Sequence, residues 1–288
     1  MQHARVSSPE IALFDYDTKQ VALLAAKQSY QNADVFPHIV LDDFLDGELL
    51  RDAVTEFPAL SGRDWIHYQH FNENKGGLNK RAAIPPKLLA VIDELNSPEF
   101  VSWLSELTGI SELVPDPDLE GGGLHQIKTG GFLNIHADFT VHPHRRMWRR
   151  RVNVLVYLNE GWREEYGGHL ELWTKDMKRY FKQVLPVFNR CVIFNTDRDS
   201  YHGHPKPLTC PEDTTRKSIA LYYFTEEKET PVKITTNYRA RPDDGLKAVF
   251  IYLDKKILSL YNWLKGVLGI NDDFVSRFLN FLAKLRGK

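Results

Sequence analysis

At 288 residues, 42% hydrophobic and 26% charged with a formal net charge of −1, the chain has the composition of a soluble globular protein with one large domain or two small ones. The near-neutral balance gives no reason to expect a nucleic acid partner, and no stretch approaches the roughly 18 uninterrupted apolar residues of a spanning helix. Cys191 and Cys210 are too few for a disulfide framework or a thiolate zinc cluster. The opening MQHARVSSPEIALF has no basic segment leading into a long apolar run, so a reducing, cytoplasmic location is expected.

Residues 17–31 have helical spacing, followed by a predicted strand over His38–Leu41 and a helix over Asp46–Phe57. The stretch Trp65–Ala83 is polar and Gly/Asn-rich and reads as a long loop. Helices are predicted over Pro86–Leu95 and Pro98–Leu107, with Gly109 as the stop. From about residue 121 to 225 the texture changes to short strands separated by turn residues. These are Leu124–Lys128, Phe132–Asp138, Arg151–Leu158, Gly168–Trp173, Tyr180–Val184, Cys191–Phe194, Tyr201–His204 and Lys217–Phe224. Short strands without interleaved helices predict a mainly β fold, a double-stranded β-helix or jelly roll, with flanking helices packed on the barrel. After residue 241, Leu253, Ile257, Leu260, Leu264 and Leu268 follow one helix face, and Phe274, Phe278, Leu282 and Leu285 a second. The expected division is a helical support region over 1–120, a barrel core over 121–228, and a linker with an amphipathic, basic helical tail over 229–288.

Within GGFLNIHADF, residues 130–139, Leu133, Ile135, Ala137 and Phe139 share one strand face, and Asn134, His136 and Asp138 the other. His136 and Asp138 thus aim two potential metal ligands at one point. His202, in SYHGHPKPL, offers a third, with His204 on the same face as its competitor. Two histidines and a carboxylate with open positions describe the facial triad of non-haem Fe(II) oxygenases. His169 and Glu171 repeat the spacing and read as a solvated sheet face. Such an oxygenase needs an organic acid as electron source, and the remote carboxylate of that acid needs a buried cation, ideally the fork of an arginine. Arg216 and Ser218, in TTRKSIALYYF, face one way and meet that need, with Tyr157 as a hydroxyl donor.

Four stretches carry a family likeness in order: GGGLHQIKTGGFLNIHADF, RRRVNVLVYLNEGWREEYGGHLELW, VLPVFNRCVIFNTDRDSYHGHPKPL and TTRKSIALYYFT. Together they resemble the 2-oxoglutarate- and Fe(II)-dependent oxygenases, and within them the prolyl-4-hydroxylase-like branch. The resemblance implies that His136, Asp138 and His202 bind Fe(II), and that Arg216 and Tyr157, with Ser218, hold the distal carboxylate of 2-oxoglutarate. Where many relatives have a tyrosine upstream of the His-x-Asp pair, this chain has His125, Gln126 and Lys128, and Gln126 is the expected contact there. The implied activity is a dioxygenase that uses O2 to hydroxylate an unactivated C–H bond, releases succinate and CO2, and is activated by ascorbate.

Peptidyl proline, an amino acid, and a sugar or other biosynthetic intermediate are the candidate substrates, so the partner is a small molecule, glycan or peptide. The rivals are a non-catalytic jelly-roll protein that binds a metal or ligand, and a zinc hydrolase. The arginines of TVHPHRRMWRRR, which follow the ligand pair directly, offer attraction for an anionic substrate, against the plainer reading as a solvated loop. The segment 247–288 is open to packing on the barrel or on a second subunit, to a membrane surface, or to a partner protein.

Overall fold

The computed structural model describes residues 12–268, with side chains described as far as 257. It begins with α1 (Tyr16–Gln31), β1 (His38–Leu41), α2 (Gly47–Val54), β2 (Ile66–His70), β3 (Glu73–Leu78), α3 (Pro86–Leu95) and α4 (Pro98–Thr108). Side-chain caps start three of these helices: Asp15 accepts from the Thr18 N–H, Asp46 from Glu48 and Leu49, and Ser97 from Phe100. α4 stops at Gly109, whose φ of 71° suits a residue without a Cβ. The strands continue with β4 (Val114–Pro115), β5 (Gly123–Ile127), β6 (Phe132–Ala137), β7 (Trp148–Tyr157), β8 (Leu170–Trp173) and β9 (Tyr180–Val184). After them come β10 (Cys191–Asn195), β11 (His202–His204), β12 (Arg216–Glu226), β13 (Asn237–Tyr238) and α5 (Lys247–Leu268).

All described strands belong to one antiparallel sheet in the order β1-β10-β7-β12-β5-β3-β6-β11-β8-β9, with β13 on β6, β2 on β3 and β4 on β12. β3 pairs with β5 through Gly76–Leu78 and with β6 through Glu73 and Asn74, and so joins the two halves of a nearly closed jelly-roll barrel. Alternation along the strands separates two environments. Val152, Val154 and Val156 of β7 and Ile219, Leu221 and Tyr223 of β12 share one core with Leu88, Phe100 and Leu104 of α3 and α4. Asn153, Leu155 and Tyr157, with Ser218 and Tyr222, face the barrel interior instead. Burying each large apolar side chain is worth roughly 1.5–3 kcal/mol, so the helices hold the outer face of the sheet and leave the inner face free to carry polar groups.

The segment Trp65–Ala83 differs from expectation. It contains the β2–β3 hairpin, which closes one side of the barrel. Its strands lack an apolar alternation because their inward side chains, such as Tyr68, Glu73 and Lys75, line a polar cavity rather than a core. β4 and β13, of two residues each, are too short for a periodic signal. α5 agrees with the expected tail helix. Among the described residues no helix is long and apolar enough to cross a membrane. The second predicted helix face, Phe274 to Leu285, lies outside the described residues.

Candidate active site

His202 of β11 stands opposite His136 of β6, and Asp138 follows directly after β6. One ligand atom from each of the three lies within 4.8 Å of the others. Both imidazoles are oriented by backbone: His136 Nδ1 is 2.9 Å from the Asn134 carbonyl and His202 Nδ1 is 3.0 Å from that of Ser200. A ring that donates from Nδ1 to a carbonyl presents a bare Nε2. Each Nε2 faces a different oxygen of Asp138 at 3.5 Å. Burial pushes His202 down to about 4, so its ring is neutral near pH 7. The His202 Nε2 and the Asp138 oxygens therefore turn electron pairs toward one another with His136 Nε2 beside them, an arrangement that a divalent cation among the three groups converts into coordination. The donor set fits a His-Asp-His iron centre.

Burial alone would raise the Asp138 carboxyl, yet Arg150, followed by His202 and His136, holds it well below the usual carboxylate range. Arg150 Nη2 lies 3.0 Å from Asp138 Oδ2, and Asn153 Nδ2 donates to the same oxygen at 2.8 Å. Arg150 is only 2% exposed, with its guanidinium carbon 3.5 Å from the Tyr222 ring centroid and 4.7 Å from that of Phe139. It also donates from Nε and Nη2 to Asn153 Oδ1. Asn153 is in phase with Tyr157 on β7 but absent from the candidates read from sequence, and Arg150 figures there only among the arginines expected to attract an anionic substrate.

The same cavity, of about 160 Å³, runs from the triad to Arg216, Tyr157 and Ser218. β12 lies between β5 and β7, so Ser218 faces His125 on one side and Tyr157 on the other. Arg216, 5% exposed, donates from Nε to the Gly168 carbonyl at 3.0 Å and from Nη2 to the Tyr157 hydroxyl at 3.4 Å. Among the described residues it has no carboxylate partner, and a buried cation without one is costly. The other guanidinium donors are left for an anionic ligand. His125 lines the cavity, and burial, with Lys75 nearby, pushes it down to about 3.

Gln126 does not line this cavity. It sits on the opposite face of β5 and donates to Thr215 Oγ1 at 2.9 Å, while its neighbour His125 faces the cavity. His204 lines the cavity but is not in the metal-ligating group. Glu171 is buried rather than solvated, accepting from Trp173 Nε1 at 2.8 Å and Gln183 Nε2 at 3.3 Å.

The arginine-rich stretch is not a cationic rim either, because it runs into β7. Arg145 pairs with Asp118 and stacks on Trp148, Arg149 lies 3.9 Å from Asp197, and Arg151 lies 3.8 Å from Glu227. Asp116, Asp118 and His142 form a second cluster of possible ligands. Arg145 pairs with Asp118 and lies 3.9 Å from Asp116, and Asp116 caps the N–H groups of Asp118 and Glu120.

The hairpin is clasped to α5 through groups that include Glu73 and Tyr238 of the cavity lining. His70 Nδ1 is 2.9 Å from Asp254 Oδ2 and its Nε2 is 2.8 Å from Glu73 Oε1. Asn72 donates to Asp254 at 2.6 Å and Tyr238 to Glu73 at 3.2 Å. Burial disfavours the charged ring, but the bonds with Asp254 and Glu73 prevail and raise His70 to about 9. A raised histidine stabilises the fold fully below its unfolded value near 6.5 and ceases to do so as pH climbs through about 9. Hydrogen exchange at the β2–β3 amides is expected to accelerate over that interval beyond the intrinsic rate. An Asp254→Ala variant should show faster exchange already at pH 6.5 and a flatter profile.

Residues 122–224 match the model of the 2OG-Fe(II) oxygenase superfamily, which bears out the resemblance seen in the motifs. The chain is 26% identical over 196 residues to mouse prolyl 3-hydroxylase OGFOD1, a match covering 66% of this chain and 33% of that protein. It thus spans about a third of that relative's length. Among solved structures, a prolyl-4-hydroxylase from Pseudomonas putida aligns with a TM-score of 0.50 at 16% identity, covering 71% of this chain and 100% of that one. A prolyl hydroxylase from Trichoplax adhaerens, solved with a peptide of the hypoxia inducible factor oxygen degradation domain, aligns with a TM-score of 0.52 at 18% identity. That alignment covers 73% of this chain and 93% of the other. At such identities these structures speak for the fold alone.

Proposed function

From a barrel whose residues 122–224 match the 2OG-Fe(II) oxygenase superfamily, we propose that this chain is an Fe(II)- and 2-oxoglutarate-dependent dioxygenase that hydroxylates an unactivated C–H bond. One observation carries the reading: the His136–Asp138–His202 cluster and a buried arginine, Arg216, without a carboxylate partner among the described residues lie in one cavity. Iron with 2-oxoglutarate and dioxygen, when bound, supplies oxidative decarboxylation of the acid to succinate and CO2 coupled to hydroxylation. His136, Asp138 and His202 would hold the metal, and Arg216, Tyr157 and Ser218 the far carboxylate of the acid. Arg150 and Asn153 fix the carboxylate of Asp138, so the ligand set is oriented before the metal arrives. Tyr68, Tyr222 and Tyr238 give the cavity an aromatic surface.

An aromatic wall suits an uncharged ring, and peptidyl proline is the substrate we favour, supported by the likeness to the mouse prolyl 3-hydroxylase. We read the whole as one catalytic domain in a reducing, cytoplasmic compartment, in keeping with two free thiols. Val249, Phe250, Leu253 and Ile257, exposed along α5, would serve as a contact surface for a second subunit, a partner protein or a membrane.

The test is succinate formation from 2-oxoglutarate by the purified protein with Fe(II) and ascorbate in air. Release that stops on chelation of the metal and rises with a proline-containing peptide is the expected result. Binding of metal and acid without turnover on any prolyl peptide would point to tight coupling to a different substrate, and no binding of either to a non-catalytic jelly roll.

A further inference from the structure

Building on the cosubstrate reading above, we propose that His204 hydrogen-bonds the bound 2-oxo diacid and completes, with Arg216, the recognition of its far carboxylate. His204 is 3% exposed and lines the cavity. Both of its ring nitrogens are buried without a hydrogen-bond partner among the described residues. The contrast with His136 and His202 is direct, since each of those has Nδ1 tied to a carbonyl. Buried polar groups in folded proteins are almost always paired, so two orphaned nitrogens on one ring call for a ligand.

Position identifies that ligand. His202 faces His136, whereas His204 faces Leu133, across an irregularity in the pairing of β11 with β6. Two residues of strand set His204 roughly 7 Å along the barrel from His202. That separation matches the span of a 2-oxo diacid from its metal-chelating end to its far carboxylate. The backbone leaves little latitude, because a Cβ on Gly203 would sit 2.8 Å from the carbonyl oxygens of Leu133 and Asn134. β11 is thereby pressed against β6, and both flanking imidazoles face the cavity.

Tyr157 and Ser218 share that carboxylate with Arg216, which does not meet it from all of its donors. Its Nε is committed to Gly168 and one Nη2 proton to Tyr157, while a carboxylate offers about four lone-pair sites. The His204 ring, with neither nitrogen bonded within the described residues, supplies one further N–H donor.

The experiment is calorimetric titration of the full chain loaded with Mn(II), which binds such sites without oxygen chemistry. Two acids are compared: 2-oxoglutarate, and 2-oxobutyrate, which lacks the far carboxylate. His204→Leu is expected to weaken 2-oxoglutarate by roughly 10-fold or more and to leave 2-oxobutyrate and Mn(II) affinity unchanged. His204→Asn keeps one N–H donor, should retain most of the preference for the diacid, and carries the test if the leucine variant does not fold. Equal weakening of both acids, no weakening, or loss of Mn(II) affinity would each overturn the role of His204. Failure of the unmutated protein to bind either Mn(II) or 2-oxoglutarate would overturn the cosubstrate reading and this inference with it.

Discussion

An Asp138→Ala variant is expected to lose metal binding by at least roughly 100-fold, and with it all succinate formation. The carboxylate is the only anionic group of the three-residue cluster, and it faces both Nε2 atoms at 3.5 Å. Its removal also leaves Arg150 buried and unpaired, a change that typically destabilises a fold by about 3–5 kcal/mol. Metal loss and unfolding must therefore be separated. Asp138→Asn keeps the shape of the side chain but gives up the anionic oxygen the metal needs. Mn(II) titration together with a thermal melt of the metal-free protein distinguishes the effects: binding should vanish in both variants, while the melt of Asp138→Asn should stay closer to that of the unmutated protein. Retention of tight Mn(II) binding by Asp138→Asn would remove the carboxylate from the proposed ligand set.

Strand alternation is what makes this cluster legible in the sequence. His136 and Asp138 are two apart on one strand, whereas His202 is set apart from its competitor His204 by the family likeness, and the pairing of β11 with β6 places it against His136. Arg216, Ser218 and Tyr157 are accessible in the same way, because β12 and β7 run in regular register through Ser218 and Tyr157. Where the register breaks, the reading fails. The β12–β7 ladder shifts between Tyr223 and Phe224, so that Tyr223 opposes Val152 and Phe224 opposes Arg150. Counting by twos from Tyr157 selects Arg151 as the inward arginine, whereas the irregularity turns Arg150 inward and sends Arg151 toward Glu227. Gln126 fails for a simpler reason, since one step along β5 exchanges it for His125. The hairpin is illegible for a third reason, because a strand that lines a polar cavity does not carry the apolar period by which strands are recognised.

That inward arginine carries the second large effect. Arg150→Met should lower metal affinity by roughly 10- to 100-fold although Arg150 is not a ligand, because Asp138 loses the guanidinium that holds its Oδ2. It also leaves the Asp138 carboxylate buried without its main cationic partner, which raises its pKa and makes metal uptake compete with a proton. The affinity deficit should therefore grow as pH falls. Arg150→Lys preserves the charge but not the planar fork, which bonds Asn153 Oδ1 from two nitrogens and lies on the Tyr222 ring. It should recover only part of the affinity and little of the thermal stability. Arg149→Met, on the outer part of the same strand and only weakly paired with Asp197, should change neither. If all three variants bound Mn(II) alike at pH 6 and pH 8, Arg150 would be a structural cation alone, and Asn153, donating to the same oxygen at 2.8 Å, would suffice to orient Asp138.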